Sequence, residues 1–298
     1  MDKIPNTASE EHKAPNPPMQ PESHAHESST KKSKSKIVLL IAIVVILVLG
    51  LAWWYFQSQF QKVSPVKDVS STPVAKITKL VVGTDATYQP MEYVAPDGAI
   101  VGYDIDLGNA IAAELGAKIE YKNIPWDDVF KALENKQIDM IISSVSITDE
   151  RKQKYDFSDN YLNAGQVIIT RKDNTTIVSA ETLRGKKIGV QQDTTEEAKA
   201  LDYTSKNLVT SYPDSNQAVK ALVDGHIDAQ ITDLPGAIDI VTKNSRLKIA
   251  SDPITNEYYG IVFRKNDPNV TKINEALTSL RKKGVLTDLL TKYLKPRP

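Results

Sequence analysis

Apolar positions fall along this chain in three patterns, and each predicts a different kind of structure. Residues 1 to 36 hold hardly any large apolar side chain among their Pro, Ser, His, Lys and Glu. Such a segment cannot bury enough surface to offset the entropy of ordering, and it is expected to be a disordered tail. Residues 37 to 56 are the reverse, the uncharged run IVLLIAIVVILVLGLAWWYF. Twenty helical residues rising ~1.5 Å each reach ~30 Å, the hydrocarbon thickness of a bilayer. Trp53, Trp54 and Tyr55 close the run as an interfacial aromatic belt, and Lys31, Lys32, Lys34 and Lys36 precede it. The run therefore reads as one transmembrane helix, with the N-terminus cytoplasmic and the body of the chain extracytoplasmic. The competing reading is a cleaved signal peptide, but its apolar region is shorter and is followed by small residues, not by Trp-Trp-Tyr-Phe.

Residues 57 to 76 are polar, with Pro65 and Pro73, and are expected to be a tether. From Ile77 onward, short β-rich runs alternate with helix-period segments, the pattern of an α/β fold. Strands are predicted over 80–84, 118–121, 140–146, 166–171, 187–191, 208–212, 229–232, 247–250 and 260–264. Helices are predicted over 104–115 and 127–134, and from Thr195 and Asn216. A last helix carries Val270, Ile273, Leu277 and Leu280 on one face.

Two stretches echo one another, FKALENKQIDMIISS (130–144) and VKALVDGHIDAQITD (219–233). Lys131, Ala132, Leu133, Ile138 and Asp139 match Lys220, Ala221, Leu222, Ile227 and Asp228. Each stretch reads as a helix, a turn and a strand ending in polar residues. Two α/β units can share this grammar by default, or the chain holds two similar lobes. Open α/β sheets bind ligands beyond the carboxyl ends of their strands. The echo puts Ser143 and Ser144 at that edge in one unit, and Thr232 and Asp233 in the other. If the units face each other, hydroxyls oppose a carboxylate, which suits a small ligand with an anionic and a cationic end.

Composition narrows the chemistry. Formal charge is +0, so nothing implies a nucleic-acid partner. The chain has no cysteine, which removes disulfides, Fe–S clusters, thiolate-bound zinc and lipidation at an N-terminal cysteine. His12, His24 and His26 lie in the tail, leaving His226 alone for the body, so neither a Ser-His-Asp triad nor a His-rich metal site is expected. No G-x-G-x-x-G or P-loop occurs, and no cofactor is expected. The segment SSVSITDER (143–151) runs into a helix start with Thr148 as N-cap. Arg151 falls in that first turn, where a cation opposes the helix dipole. It pairs with Asp149 or Asp156, or it waits for an anion, since its planar fork grips a carboxylate bidentately.

At this point a family pattern is visible. The segments GTDATYQPMEY (83–93), DGAIVGYDIDLGNAIAAELG (97–116), IDMIISSVSITDERKQKYDFSDNY (138–161) and GKKIGVQQDTTEEA (185–198) resemble the bacterial polar amino-acid solute-binding proteins of ABC importers, the histidine- and lysine/arginine/ornithine-binding members above all. The resemblance runs from about 77 to 298. It implies a two-lobed periplasmic-binding-protein-like fold (type II) with two hinge crossings, lobe one at 77–168 plus 260–298 and lobe two at 169–259. The function implied is capture of a free polar or basic amino acid by lobe closure for an ABC permease, without enzymatic activity.

Carried onto this chain, Arg151 grips the ligand's α-carboxylate with Ser143, Ser144 and Ser146 beside it, and Thr195, with Gln191 and Thr194 near it, adds a donor from lobe two. Asp233 receives the α-ammonium, Tyr88 and Trp126 flank the ligand side chain, and Asp85 meets its polar or cationic end. Without the resemblance, Tyr88 and Trp126 read equally as core aromatics, Asp85 as a turn cap and Asp233 as a helix N-cap. Asp193 stands where the family usually has glycine, which puts the backbone near Thr194 in question. Two other functions stay open. One is a receptor signalling amino acids to a membrane partner. The other is a dehydratase acting on a prephenate- or arogenate-like acid, with Glu196 as the nearest general acid.

Overall fold

The computed structural model describes residues 31–60 and 77–294. Helix α1 spans Lys31–Phe60, so residues 31–36, expected in the tail, are helical. Its described side chains from 43 to 57 are all exposed. Among the described residues no helix is long and apolar enough to cross a membrane. The expected span over 37–56 is therefore not shown; the side chains of 37–39, 41 and 42 lie outside the described residues. So do the expected tail up to residue 30 and the linker from 61 to 76.

The unit from Pro73 onward opens with β1 (Lys79–Thr84), the three-stranded meander β2 (Thr87–Tyr88), β3 (Glu92–Val94) and β4 (Ile100–Val101), and α2 (Tyr103–Leu115). Strand β5 (Lys118–Asn123), α3 (Trp126–Glu134), β6 (Met140–Ile141), α4 (Asp149–Lys154) and β7 (Tyr155–Phe157) follow. After β8 (Leu162–Asn163) come β9 (Gln166–Arg171), β10 (Ile188–Gln191), α5 (Thr195–Tyr203) and β11 (Val209–Tyr212). Then come α6 (Ser215–Val223), β12 (Ala229–Asp233), α7 (Leu234–Lys243) and β13 (Leu247–Ile249). The chain closes through β14 (Tyr258–Tyr259), β15 (Val262–Arg264), α8 (Asn269–Lys282) and α9 (Val285–Tyr293).

Two five-stranded sheets result, ordered β5-β1-β6-β15-β7 and β11-β10-β12-β9-β13. Both chain ends of the unit serve the first sheet, and the two segments between the sheets pair as β8 with β14. Strand β9 belongs wholly to the second sheet, so the boundary expected at 168 falls inside it. The expected strand 140–146 stops at Ile141, because Ser144 turns to a φ of 53°, outside the extended range. The final helix is two, broken where Gly284 adopts a φ of 81°.

The echo is built into matching bonds. Asp139 accepts the Val81 N–H at 2.8 Å, and Asp228 accepts the Lys187 N–H at 2.9 Å. Arg264 donates to the carbonyls of Leu133 and Ile138, as Arg171 does to those of Leu222 and Ile227. In each lobe the isoleucine presses on a strand glycine. A Cβ on Gly83 would lie 2.4 Å from Ile138 Cδ1, and one on Gly189 2.3 Å from Ile227 Cδ1. Both sheets are mixed, with β15 antiparallel in the first and β9 in the second, and each buries apolar side chains on both faces, Leu80, Leu107 and Leu277 on one side of the first and Val129, Leu133 and Val262 on the other.

Candidate functional site

The carboxyl ends of β1, β6, β10 and β12 converge on one cavity between the lobes. Asp85, Tyr88, Trp126, Ser143, Ser144, Ser146, Arg151, Gln191, Thr194, Thr195 and Asp233 all line it, and Thr87, Glu92 and Glu196 complete the wall. The lobes touch around it. Asp193 O accepts the Trp126 indole N–H at 3.2 Å and Arg151 Nη2 at 3.5 Å, and Asn216 donates to Thr87 O at 2.9 Å. Tyr88 Oη meets Thr232 Oγ1 at 3.3 Å, and Gln192 pairs with Asp127.

Helix α4 delivers Arg151. Thr148 caps it by accepting the Arg151 N–H at 3.1 Å, which points the side chain back toward the serine loop. The guanidinium donates to Ser146 O at 3.0 Å and lies 5.5 and 5.7 Å from the ring centroids of Trp126 and Phe130. Neither Asp149 nor Asp156 pairs with it: they meet Lys152 and Lys265. Burial pulls its pKa below the ordinary value, against the nearby charges of Glu196, Glu257 and Asp233. A half-buried cation held by carbonyls and aromatic faces, without a carboxylate in contact, is a place for an anion.

Asp233 ends β12 and is 4% exposed. Although it occupies the N-cap of α7, its side chain caps nothing. Oδ2 accepts the Tyr259 hydroxyl, while Oδ1 is buried without a partner. Burial, with Glu196 and Glu257 adding to it, pushes the carboxyl well above the usual range. Such a group lacks a counter-charge.

Asp85 differs. Its Oδ1 accepts the Thr87 hydroxyl at 2.9 Å and its Oδ2 the Trp126 N–H at 3.0 Å, so it ties the β1 turn to the start of α3. The Ser143 hydroxyl accepts the Asp85 N–H and donates to Glu92, and the Ser144 hydroxyl donates to Glu92 and Asp104. Both hydroxyls are thus spent within the wall. Thr195 Oγ1 is likewise engaged, donating to Glu257 at 2.8 Å and accepting from Gln166 at 3.0 Å. Thr194 caps α5, and Gln191 reaches Pro213 O. Glu196, in the first turn of α5, has its pKa raised by burial and by Glu257.

Sequence reasoning passed over Glu92, Phe130 and Glu257. Phe130 was accessible, since it sits one helical turn after Trp126 at i+4. Glu92 was not: a glutamate between Met91 and Tyr93 carries no local sign of burial.

The family model "Bacterial extracellular solute-binding proteins, family 3" matches residues 80–296. The L-cystine-binding protein TcyJ of Escherichia coli K12 is 33% identical over 217 residues, covering 72% of this chain and 82% of TcyJ. The arginine-, lysine-, histidine-binding protein ArtJ of Geobacillus stearothermophilus superposes with a TM-score of 0.70 at 40% identity, covering 74% of this chain and 97% of ArtJ. The ancestral amino acid-binding protein AncCDT-1, a precursor of cyclohexadienyl dehydratase, superposes at 0.68 with 36% identity, covering 73% and 96%.

Proposed function

Because the chain belongs to the bacterial extracellular solute-binding proteins of family 3, we propose that it captures one free polar or basic L-amino acid between its lobes and presents it to an ABC importer. The observation that carries this reading is the pair of unmet charges in one cavity. Arg151 has no carboxylate in contact, and Asp233 has a buried oxygen with no donor. A zwitterion supplies both missing partners, and it must find both, since each of its charges leaves water. The lobes close by hinge motion over the bound molecule, with Tyr88 and Trp126 beside its side chain.

Arg151 is the one cationic side chain among the described lining residues, against the carboxyl groups of Asp85, Glu92, Glu196 and Asp233. That balance favours a basic or polar side chain over an acidic one. ArtJ binds arginine, lysine and histidine, and TcyJ binds cystine, so both kinds of ligand belong in the test. The run 37–56 would tether the receptor in the membrane and keep it at high effective concentration near its permease. Carbonate extraction reads this directly: recovery in the soluble fraction removes the anchor.

A dehydratase reading draws on Glu196, a pocket acid with a raised pKa, and on the likeness to AncCDT-1. Asp233 opposes a prephenate-like substrate, a dicarboxylate with no ammonium to meet it; an arogenate-like one carries that ammonium and belongs in the test beside prephenate. The decisive experiment is a thermal-shift screen against the amino acids, ornithine, cystine, prephenate and arogenate. A ligand at 100 times its Kd stabilises by ~2.7 kcal/mol, a readable shift. Silence with every amino acid, together with turnover of prephenate or arogenate, would replace the receptor by an enzyme.

A further inference from the structure

Behind the serine loop lie two carboxyl groups that the binding reading leaves without a task. Glu92 is 1% exposed and Asp104 is fully buried. Glu92 sits on β3 and Asp104 in the first turn of α2, so the meander and the helix bring them together. Both accept from the Ser144 hydroxyl, Glu92 Oε2 at 3.2 Å and Asp104 Oδ2 at 3.4 Å, so two buried carboxyl groups lie side by side, and a proton on one of them relieves their repulsion. Among the described residues neither forms an ion pair. The groups facing them are Asp85 from the β1 turn, Tyr103 from α2, Tyr121 from β5 and Tyr161 from the segment after β7, with Arg281 of α8 beside Tyr103. Tyr161 donates to Asp104 Oδ2 at 2.9 Å, while Asp104 Oδ1 is buried without a partner.

What this pair holds is the cavity wall. Ser143 donates to Glu92 Oε1 at 3.2 Å and Ser144 to Glu92 Oε2 at 3.2 Å. The Ser144 N–H donates to Asp104 Oδ2 at 2.7 Å. Ser144 has a φ of 53°, a conformation uphill by roughly 1–2 kcal/mol for a residue with a Cβ. The acid pair supplies the bonds that offset that strain, and the bend it fixes turns the chain from β6 toward Ser146 and Arg151.

We propose that Glu92 and Asp104 are positioning residues of the binding site, sharing one proton, and that this singly protonated pair holds the Ser143–Ser144 bend in its binding-competent shape. The inference rests on the amino-acid reading for its affinity readout alone. Burial raises both groups, Asp104 to about 6 and Glu92 well above the usual carboxylate range, with the Asp104 charge adding to the Glu92 rise. When the second proton leaves, two like charges share a dry space and repel. The bend then opens, and affinity falls as pH rises, by about tenfold per pH unit at the steepest for one proton.

The test uses the full chain, with arginine as the probe, titrated from pH 6 to 10 in wild type, Glu92→Gln and Asp104→Asn. Glutamine keeps the shape of the protonated acid and cannot ionise. Because arginine's own α-ammonium loses its proton within this range, the readout is the ratio of wild-type to Glu92→Gln affinity, from which the ligand's titration cancels, and that ratio should fall from pH 7 to pH 9. An infrared difference spectrum of the ligand-free protein, wild type minus Glu92→Gln, should show a protonated carboxylic-acid band at pH 7. A parallel decline in wild type and Glu92→Gln, or no acid band at pH 7, overturns the inference. If arginine and every other amino acid fail to bind, the receptor reading falls. The infrared band and the melting temperature then still decide the acid pair: the wild type should lose stability relative to Glu92→Gln as pH rises, and its failure to do so overturns the pair.

Discussion

The two lobes are alike through Ile141 and Gln230 and part immediately after them. Up to that point helix, turn and strand repeat, with the aspartates taking equivalent N–H groups and the arginines Arg264 and Arg171 capping equivalent carbonyls. Beyond it, lobe one breaks its strand after Ile141 and bends through Ser144, whereas lobe two runs straight on to Asp233. The scaffold is therefore shared and the chemistry is not. Lobe one satisfies its strand-end serines internally and exports a cation from α4. Lobe two leaves a carboxylate half satisfied. On the proposed reading each lobe supplies one pole, so neither would bind a zwitterion fully alone.

The sharpest way to break that division is to remove one pole from each lobe. Arg151→Ala leaves a buried ligand carboxylate unpaired and should weaken binding by ~3 kcal/mol or more, over a hundredfold. Asp233→Asn should lose ~2–5 kcal/mol, because the ammonium then faces a neutral amide. Calorimetric titration of both variants checks the pair. A loss confined to one of them would mean that a single lobe carries the ligand.

A pH series sharpens the same contrast. Asp233 is raised by burial, and on the proposed reading it has to ionise to meet an ammonium. Affinity should fall as pH drops below that raised value, by about tenfold per pH unit, and Asp233→Asn should abolish this acid limb. The sign for folding is opposite. A carboxyl whose folded pKa is raised favours the folded state at low pH, and that contribution fades as pH climbs through the raised value. Melting curves of ligand-free wild type and Asp233→Asn should converge or cross accordingly.

Asp85 lines the same cavity but has both oxygens bonded to its own lobe. Asp85→Asn should therefore act first on stability, by about 1 kcal/mol, the scale of a lost helix-start acceptor. If arginine affinity falls while glutamine affinity holds, the carboxylate also reads the ligand side chain. Phe130 is a weaker lever. It supplies one of two aromatic faces to Arg151, and Phe130→Leu should reduce affinity by ~0.5–1 kcal/mol. An unchanged Kd would show that Trp126 alone orients the guanidinium.

These differences explain what was readable in the sequence. The alternation of short apolar runs and helix-period segments located nine of the ten strands of the two five-stranded sheets, all but β7, because both sheets bury two faces and leave continuous apolar signatures; the short strands β2, β3, β4, β8 and β14 and helix α7 were not predicted. The echo exposed the repeated scaffold because the repeat is local. Where the lobes diverge, legibility ends. Nothing around Ser144 announces a positive φ, and the Glu92–Asp104 contact joins residues whose neighbourhood exists only in the folded lobe. Thr148 and Arg151 were legible as cap and misplaced cation because capping is a rule of near neighbours.

Asp193 tests the rim where the lobes meet, and here two opposing effects nearly cancel. It adopts a φ of 55° in the loop before α5, and its carbonyl receives Trp126 and Arg151 from lobe one. Glycine occupies this backbone region freely, so Asp193→Gly removes a strain of roughly 1 kcal/mol, less than for most residues because aspartate tolerates the left-handed region. The same change loosens the unfolded chain, which opposes it by ~0.4–1 kcal/mol. It also keeps the N–H that donates to Glu197 and the carbonyl that latches the lobes. The net change in stability should stay within about 0.5 kcal/mol, about 1–2 °C in Tm for a domain of this size. A fall of several degrees would mean that the aspartate side chain itself anchors the loop. A rise of several degrees would mean that the strain held in the closing loop exceeds what an aspartate normally tolerates.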